Sequence, residues 1–307
     1  MEIIGRFAPS PSGRMHLGNL LCAMLAWLSV KQKDGKFLLR IEDLDAMRCP
    51  RTYAAQIMED LQWFGLEWDG EILYQSERAA IYDRYKKILQ EKNLLYPCFC
   101  SRAALHAASA PHLSDGRVVY AGTCRGLSAA EVQEKTKSRA PAIRVQAPDI
   151  QISFTDGVYG EYTESLAKEC GDFIIQRADG VFAYQLAVVV DDALSGVTEI
   201  VRGDDLLSST PRQIWLYQLF GFTPPKFLHI PLLCDTDGRR LSKRDLDLDI
   251  GKLRERFSSE EIIGALACAA GLLPEPIPLS MRELTPYFSW EKLPRRPLRL
   301  PAVFHNK

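Results

Sequence analysis

The chain has little net charge with which to attract a polyanion. Its 307 residues include 38 Lys and Arg against 39 Asp and Glu, a formal net charge of −1 at pH 7. This balance excludes a polycation that binds nucleic acid through its overall charge, so any RNA contact must use a local basic patch. One candidate patch near the C terminus consists of Lys292, Arg295, Arg296 and Arg299. A solvated surface is the plain alternative for such a group.

Long hydrophobic runs are absent as well. No apolar stretch reaches the roughly twenty residues that cross a bilayer, and no signal-peptide pattern opens the chain. With 47% hydrophobic residues, the sequence still has enough apolar material for a packed core. We therefore expect a cytoplasmic globular enzyme with no membrane partner. Because no coiled coil is evident, a monomer is the default expectation.

Cysteine usage does not indicate a disulfide scaffold. Eight cysteines are few for a chain whose core is large enough to need no covalent staples. Five of them lie in or beside apolar segments and are expected to behave as small buried hydrophobes. These five are Cys22, Cys49, Cys170, Cys234 and Cys268.

The other three cysteines, Cys98, Cys100 and Cys124, suggest a metal site. Three thiolates suit a tetrahedral Zn²⁺ ion, which needs one more ligand. The candidates for that ligand are His106, His112 and Tyr120. Metal chemistry alone favours a histidine, since a phenol must first lose its proton. Three reduced, unligated thiols are the alternative.

A first motif, PSPSGRMHLGN, spans residues 9–19 between an apolar run and a mostly apolar stretch. The run at 3–7 is typical of a strand and the stretch at 20–30 of a buried helix. His16, Gly18 and Asn19 are therefore expected where a strand leads into a helix. There the free backbone amides and the helix dipole favour phosphate oxygens, and Gly18 lets a planar base or ribose approach the backbone.

A second motif, RRLSKRD, occupies residues 239–245 on a loop that turn residues open at 235–238. Its mobile cations suit the charge that develops during phosphoryl displacement. Each motif alone is weak, because a basic loop is usually solvated and a lone His is usually structural. Together, in this order and context, they indicate a site that activates a nucleotide.

Strand and helix signals alternate along the chain and predict a mostly parallel α/β sheet. Strands are predicted at 3–7, 37–41, 199–202 and 227–234, a hairpin at 174–190 with 181–190 as its second strand, and helices at 20–30, 51–64, 76–93 and 209–220, with a helical region after 250. We expect residues 1–95 and 172–247 to form the two halves of a catalytic domain. Residues 96–171 are expected to be an insert and 248–307 a helical, basic C-terminal region.

Charged residues at predicted strand ends suggest an amino acid site, because ligands of open parallel sheets sit beyond the carboxyl ends of the strands. Arg6, Glu42 and Arg202 end three of these strands. Two guanidiniums and a carboxylate are complementary to a dicarboxylic amino acid. Mutual pairing at a sheet edge is the alternative. The nearby Asp43, Asp45, Asp191 and Asp192 are expected to be structural or nucleotide-contacting, and His229 to satisfy a buried hydrogen bond.

These motifs resemble a known enzyme family. HLGN and RLSKR resemble the two signature motifs of class I aminoacyl-tRNA synthetases, and RFAPSPSGRMHLGN followed by LLRIEDLD resembles their glutamyl and glutaminyl branch. The resemblance extends from Arg6 to about Asp247. It implies a Rossmann-like parallel sheet with a zinc-bearing insert and a small C-terminal helical region.

The end of the chain at Lys307 and the Cys-rich insert narrow the resemblance. We expect no room for an anticodon-binding region after the second motif. The combination resembles a truncated branch that attaches glutamate to queuosine, a modified base in the anticodon loop of tRNA(Asp). The alternatives are a short glutamyl- or glutaminyl-tRNA synthetase that charges the acceptor end, and a synthetase-like binding module without catalysis.

The resemblance also assigns residues. It implies that L-glutamate contacts Arg6, Phe7, Ala8, Pro9, Ser10, Glu42, Tyr184 and Arg202, with Ser10 and Glu42 at the amino group and Arg6, Tyr184 and Arg202 at a carboxylate. ATP, accompanied by Mg²⁺, would contact His16, Gly18, Asn19, Arg240, Ser242 and Lys243, of which His16 and Lys243 are the catalytic residues. CFC and YAGTC match the zinc pattern of the family, which implies Tyr120 as the fourth ligand beside the three thiolates. Tyr184 could equally be core, and Val188 stands where related synthetases tend to have Asn.

Replacement of Lys243 tests the second motif. We expect Lys243→Ala to slow glutamate-dependent exchange of pyrophosphate into ATP about a hundredfold, or roughly 3 kcal/mol, because a cation that stabilises transition-state charge is lost. Glutamate affinity should change much less. An unchanged exchange rate would refute the assignment.

Overall fold

The computed structural model describes residues 2–101, 119–120, 122–234 and 249–304. The predicted ATP residues Arg240, Ser242 and Lys243 lie outside the described residues, as do the zinc-ligand candidates His106 and His112. The other predicted site residues are all described. Among the described residues, no helix combines the length and hydropathy needed to cross a membrane.

Two parallel sets of strands form the centre of the fold. The strands of these sets are β1 (Ile4–Phe7), β2 (Lys36–Ile41), β3 (Leu73–Tyr74), β9 (Glu199–Gly203) and β10 (Lys226–Ile230). β1, β2 and β3 pair in that order, and β9 pairs with β10, all in parallel. β1 lies beside β9, where Thr198 N donates a hydrogen bond of 2.8 Å to Ile4 O. The carboxyl ends of β1, β2, β9 and β10 consequently lie along one edge.

Helices cover both faces of these strands. They are α1 (Leu17–Lys31), α2 (Arg51–Trp63), α3 (Ala79–Glu91), α4 (Ala129–Ser138), α5 (Tyr184–Leu194), α6 (Thr210–Leu219), α7 (Ile250–Arg254), α8 (Ser259–Ala269) and α9 (Met281–Leu284). Successive strand side chains point to opposite faces. Phe37 and Leu39 accordingly join one buried cluster with α1, α2 and α7–α9, whereas Leu38 packs against another, formed largely by α3, α5 and α6. The result is a sheet between two helical layers, which confirms the predicted α/β class.

The segment between the two halves of the sheet is mainly antiparallel. Its strands are β4 (Leu95–Cys98), β5 (Ala142–Val145), β6 (Gln151–Asp156), β7 (Gly160–Ser165) and β8 (Phe173–Gln176). β4, β5 and β8 form one antiparallel sheet, and β6 and β7 form a hairpin. β8 therefore joins the strands of the predicted insert although it lies beyond residue 171. The domain limits drawn from the sequence stay a prediction.

One predicted element is wrong. Residues 181–190 were expected to be the second strand of a hairpin, but α5 begins at Tyr184 and runs to Leu194. Residues 186–192 are all buried. A helix that is buried on every side shows no polar face, so its apolar run has no helical period to distinguish it from a buried strand. The packing of Val188, Val189 and Val190 in the second cluster outweighs the strand preference of valine.

The C-terminal region packs against the sheet domain. A short strand β12 (Leu298–Arg299) pairs in parallel with β11 (Leu233–Cys234), so that Arg299 lies opposite Cys234. The side chains of Arg295, Arg296 and Arg299 are exposed. Arg299 of the candidate basic patch thus lies next to the last described residue before the second motif.

Close packing of β1 against α1 fixes the position of the first motif, which lies between them in the chain. A Cβ atom added at Gly5 would lie 2.4 Å from Cγ2 of the buried Val30. We therefore expect Gly5→Ala to lower the free energy of unfolding by about 1–3 kcal/mol, because overpacking must move the helix or the strand. Urea unfolding measures this difference.

Gly126→Ala is the matched control. A Cβ atom there meets nothing within 4 Å among the described residues, and the backbone φ lies outside the positive range. Its stability should stay within about 0.5 kcal/mol of the unchanged protein. Equal stabilities of the two variants would contradict the proposed close packing.

Candidate active site

A cavity of about 510 Å³ opens at the carboxyl edge of β1, β9 and β10, beside the start of α1. Every predicted glutamate residue and every described ATP residue lines it. They are Arg6, Phe7, Ala8, Pro9, Ser10, His16, Gly18, Asn19, Glu42, Tyr184 and Arg202. The structure thus brings together two sets of residues that the sequence keeps up to about 200 positions apart. Their individual roles stay predictions.

Several residues of the cavity were not found by sequence reasoning. Ser12, Leu21, Cys22, Asp205 and residues 230–233 also line it. Cys22 was expected to be a buried core residue, but its side chain is half-buried at the cavity wall. Burial raises the pKa of the Cys22 thiol to about 11, so it stays protonated at neutral pH. The sequence signal that could have identified Asp205 as a cavity residue was its position three residues after Arg202.

His16 forms the N-cap of α1. Its Nδ1 accepts a hydrogen bond of 3.1 Å from Gly18 N, and its backbone N donates to Asn19 Oδ1 at 3.1 Å. Since a backbone N–H can only donate, Nδ1 carries the lone pair and the neutral ring holds its proton on Nε2. A Cβ atom at Gly18 would lie 3.0 Å from His16 Cε1, so the glycine also leaves room for this ring.

Described residues on either side of the second motif lie beside this cavity or beside the first motif. Residues 230–233, just before it, line the cavity. Asp249, just after it, forms an isolated bridge with His16, and Ile250 N donates to Met15 O at 3.0 Å. The described residues that flank the segment therefore lie close to the first motif.

Arg6 and Glu42 belong to a buried network of charges. Asp192 Oδ1 accepts hydrogen bonds from Arg6 Nε at 3.1 Å and from Arg40 Nη1 at 2.5 Å, and Arg40 Nη2 donates to Glu42 Oε1 at 3.1 Å. Although burial opposes it, Arg40 and Arg6 lower the pKa of Asp192. Burial raises the pKa of Glu42 despite the same two arginines. Glu42 N also donates to Pro9 O at 3.0 Å, which fixes Glu42 beside the first motif.

The other predicted aspartates have structural contacts. Asp43 accepts hydrogen bonds from Ser76 N and Oγ at 2.8 and 2.7 Å, and Asp45 Oδ2 accepts from Arg177 at 2.8 Å. Asp191 is fully buried and accepts from three side chains. These donors are Gln75 at 2.8 Å, Arg78 at 2.7 Å and Tyr82 at 2.8 Å. These contacts favour the structural alternative for Asp43 and Asp191 over contact with a nucleotide.

Arg202 differs from Arg6 because it has no acidic hydrogen-bond partner among the described residues. Its Nε donates to His229 Nε2 at 3.0 Å, Nη1 to Gln213 Oε1 at 2.8 Å and Nη2 to Thr210 Oγ1 at 2.8 Å. Only 4% of the residue is exposed, and burial lowers the pKa of its guanidinium. A buried cation held by neutral acceptors favours an anionic ligand.

Two further side chains complete this end of the cavity. Tyr184 is half-buried at the first turn of α5, and burial raises the pKa of its phenol. It lines the cavity and also packs against the second apolar cluster. Val188, one turn further along α5, is buried in that cluster and is not among the lining residues. His229 hydrogen-bonds to Asp156 with its Nδ1 at 2.6 Å, which confirms its predicted buried hydrogen bond.

Cys98, Cys100 and Cys124 form a second site. Their sulfur atoms lie within 4.8 Å of one another, and those of Cys100 and Cys124 are 3.7 Å apart. The Tyr120 hydroxyl lies 3.4 Å from Cys98 Sγ and 3.7 Å from Cys100 Sγ. A tetrahedral ion with bonds of about 2.3 Å to sulfur separates its ligands by roughly 3.8 Å. The four donor atoms therefore fit Zn²⁺.

The burial of the other cysteines varies more than expected. Cys49, Cys170 and Cys234 are buried, but Cys268, like Cys22, is only half-buried. None of the eight cysteines, all of which are described, forms a disulfide.

Comparison with known proteins places the chain. Residues 2–273 match the family model described as tRNA synthetases class I (E and Q), catalytic domain. The Glutamyl-Q tRNA(Asp) synthetase of Nitratidesulfovibrio vulgaris is 46% identical, over 98% of this chain and 96% of its own length. That of Neisseria meningitidis serogroup C is 48% identical, over 79% of this chain and 80% of its own length.

Solved structures agree with this result. A glutamate tRNA ligase from Elizabethkingia meningosepticum, in complex with its amino acid, superimposes with a TM-score of 0.83 at 28% identity. The match covers 99% of this chain and 68% of that protein. The chain therefore belongs to the class I tRNA synthetases of the E and Q type, in the family of the Glutamyl-Q tRNA(Asp) synthetases.

Proposed function

We propose that the protein activates L-glutamate with ATP and transfers the glutamyl group to queuosine in the anticodon loop of tRNA(Asp). One observation carries the activation step: the buried guanidinium of Arg202, which has no acidic hydrogen-bond partner in the described part of the chain, shares a cavity with the N terminus of α1. The names of the relatives support the acceptor. Family membership supports the use of ATP and Mg²⁺.

The charges of the cavity suit glutamate. A carboxylate would form charge-assisted hydrogen bonds with Arg202 and Arg6, with the Tyr184 hydroxyl beside them. The ammonium group would approach Glu42 and Ser10. Burial raises the pKa of Glu42, and the incoming positive charge favours its ionised form.

The start of α1 suits the triphosphate. The N–H groups of the first turn and the helix dipole attract phosphate oxygens, and the Nε2 proton of His16 is the donor that we assign to them. Mg²⁺ bound to ATP would neutralise part of the phosphate charge. Lys243 remains the cation predicted to act from the second motif.

The reaction needs positioning more than acid–base chemistry. An oxygen of the glutamate carboxylate attacks the α-phosphorus in line, and the bond to the bridging oxygen breaks to release pyrophosphate. A hydroxyl of the queuosine cyclopentenediol then attacks the carbonyl carbon of glutamyl-adenylate, the bond from that carbon to the phosphate oxygen breaks, and AMP leaves with the hydroxyl proton on a phosphate oxygen. Both steps end with a stable leaving group.

Assays of the two steps test the proposed function. We expect glutamate-dependent exchange of pyrophosphate into ATP in the absence of tRNA, and glutamate on the modified nucleoside in nuclease digests of charged tRNA(Asp). Unmodified tRNA(Asp) transcript is the matched control and should accept no glutamate. Glutamate on the terminal adenosine would instead support an acceptor-end synthetase, and an absence of both exchange and transfer to tRNA would leave only a binding module.

We also infer that Cys98, Cys100, Tyr120 and Cys124 hold a structural Zn²⁺ ion. Arg144 supports this assignment, since its Nε donates to Cys98 Sγ at 3.2 Å and its guanidinium lies 3.9 Å from the centre of the Tyr120 ring. This cation compensates part of the negative charge that three thiolates and a phenolate bring. The ion would pin a part of the chain with little apolar core of its own, a small cluster around these same residues.

Zinc content tests the fourth ligand. We expect Tyr120→Phe to weaken zinc binding at least tenfold in a chelator competition, about the effect that even an outer-shell partner has on metal affinity. Tyr96→Phe is the matched control, because Tyr96 packs against the same cluster but its hydroxyl donates to Asp172 instead of facing a proposed metal ligand. Full zinc retention in Tyr120→Phe would point to His106 or His112.

A further inference from the structure

A chain of hydrogen bonds connects the β6–β7 hairpin with Arg202. Asp156 ends β6, and its Oδ2 lies 2.6 Å from His229 Nδ1. His229 Nε2 in turn accepts from Arg202 Nε at 3.0 Å. Asp156 and His229 are 2% and 0% exposed, so solvent does not compete for these bonds.

The guanidinium fixes the tautomer of His229. An arginine N–H can only donate, so His229 Nε2 must carry a lone pair and the ring proton must be on Nδ1, where Asp156 accepts it. Burial lowers the pKa of His229, which agrees with a neutral ring. Although burial opposes it, His229 and the backbone N–H groups of Val158 and Tyr159 lower the pKa of Asp156.

This arrangement orients Arg202 without neutralising it. A carboxylate bound directly to Arg202 would compete with an anionic ligand, whereas a neutral imidazole does not. Asp156 acts on Arg202 through His229. It holds the imidazole in the tautomer that accepts a hydrogen bond from Arg202.

The hairpin is itself fixed in place. Gly157 N donates to Phe227 O at 2.8 Å, His229 N donates to Asp156 Oδ2 at 3.1 Å, and the Tyr159 hydroxyl donates to Asp204 Oδ2 at 2.7 Å. A Cβ atom at Gly157 would lie 2.7 Å from Leu228. The turn after β6 therefore contacts β10 and the residues after β9 tightly enough to set the position of Asp156.

We propose that Asp156 and His229 are positioning residues, which hold the Arg202 guanidinium in the orientation that binds a substrate carboxylate. The inference rests on the proposed function, in which that substrate is glutamate. It gives the β6–β7 hairpin a role in amino acid binding, although neither residue lines the cavity.

Kinetics of three variants in the pyrophosphate exchange assay test the proposal. Asp156→Asn can donate an amide N–H to Nδ1 and so favour the wrong tautomer, and His229→Leu removes the acceptor. Both should raise the KM for glutamate about tenfold or more, the effect of losing a hydrogen bond to a charged group. The KM for ATP should change less than about twofold. His229→Gln, whose amide oxygen can accept from Arg202, should recover part of the glutamate affinity.

Tyr159→Phe is the matched control, because it removes another bond of the same hairpin and leaves His229 and Asp156 in place. It should leave the KM for glutamate within about twofold. An equal rise in Tyr159→Phe and Asp156→Asn would assign the effect to hairpin docking and overturn the proposal. An Asp156→Asn variant with the exchange rate and the glutamate KM of the wild type would also overturn the proposal. An absence of exchange in the wild type would overturn the proposed function as well.

NMR of the unchanged protein gives a second test, in which a variant serves only to assign a signal. Long-range ¹⁵N–¹H spectra of histidine-labelled protein should show His229 with its proton on Nδ1, and His16 with its proton on Nε2. The His229→Gln spectrum assigns the signal. A proton on Nε2 of His229 would exclude the hydrogen bond from Arg202 and overturn the inference.

Discussion

The site depends on how the protein compensates the positive charge that it buries at one edge of its sheet. Arg6 and Arg40 share one carboxylate oxygen of Asp192, and Arg40 also pairs with Glu42. Arg202 is buried to the same degree, but all of its hydrogen-bond acceptors among the residues that the structure describes are neutral. Because an unpaired buried charge costs several kcal/mol, the burial of Arg202 among neutral acceptors supports the proposed binding of a substrate carboxylate.

The same compensation determines how α5 packs. Its consecutive residues Asp191 and Asp192 serve two layers, since Asp191 accepts from Arg78 and Tyr82 on the side of α3 while Asp192 accepts from the two arginines of the central strands. With its C-terminal half held in this way, α5 has little freedom to shift. Tyr184, at the opposite end of the helix, is thereby placed at the cavity wall.

Sequence patterns predicted the parts of the molecule that follow from local chemistry. Strand ends, the position of His16 between a strand and a helix, and the cluster of three cysteines could be found because each depends on neighbouring residues or on a motif. α5 was predicted wrongly, since a helix without a polar face lacks a readable period. The contact between Asp156 and His229 joins positions 73 residues apart. No local pattern encodes it, because tertiary docking of the hairpin sets it.

A single connection, from the end of β1 at Phe7 to the start of α1 at Leu17, carries residues of both halves of the cavity. Pro9 O is fixed by Glu42 N at its beginning, and His16 is fixed by its own cap at its end. This one connection therefore links the side of the cavity that holds Arg6 and Glu42 to the N terminus of α1. For an in-line displacement, holding nucleophile and phosphorus in this way replaces a bimolecular encounter, an effect that reaches about 7–11 kcal/mol in well-oriented systems. Spacing within one short loop therefore contributes to the proposed activation without a dedicated acid or base, beside the charge stabilisation that is assigned to His16 and Lys243.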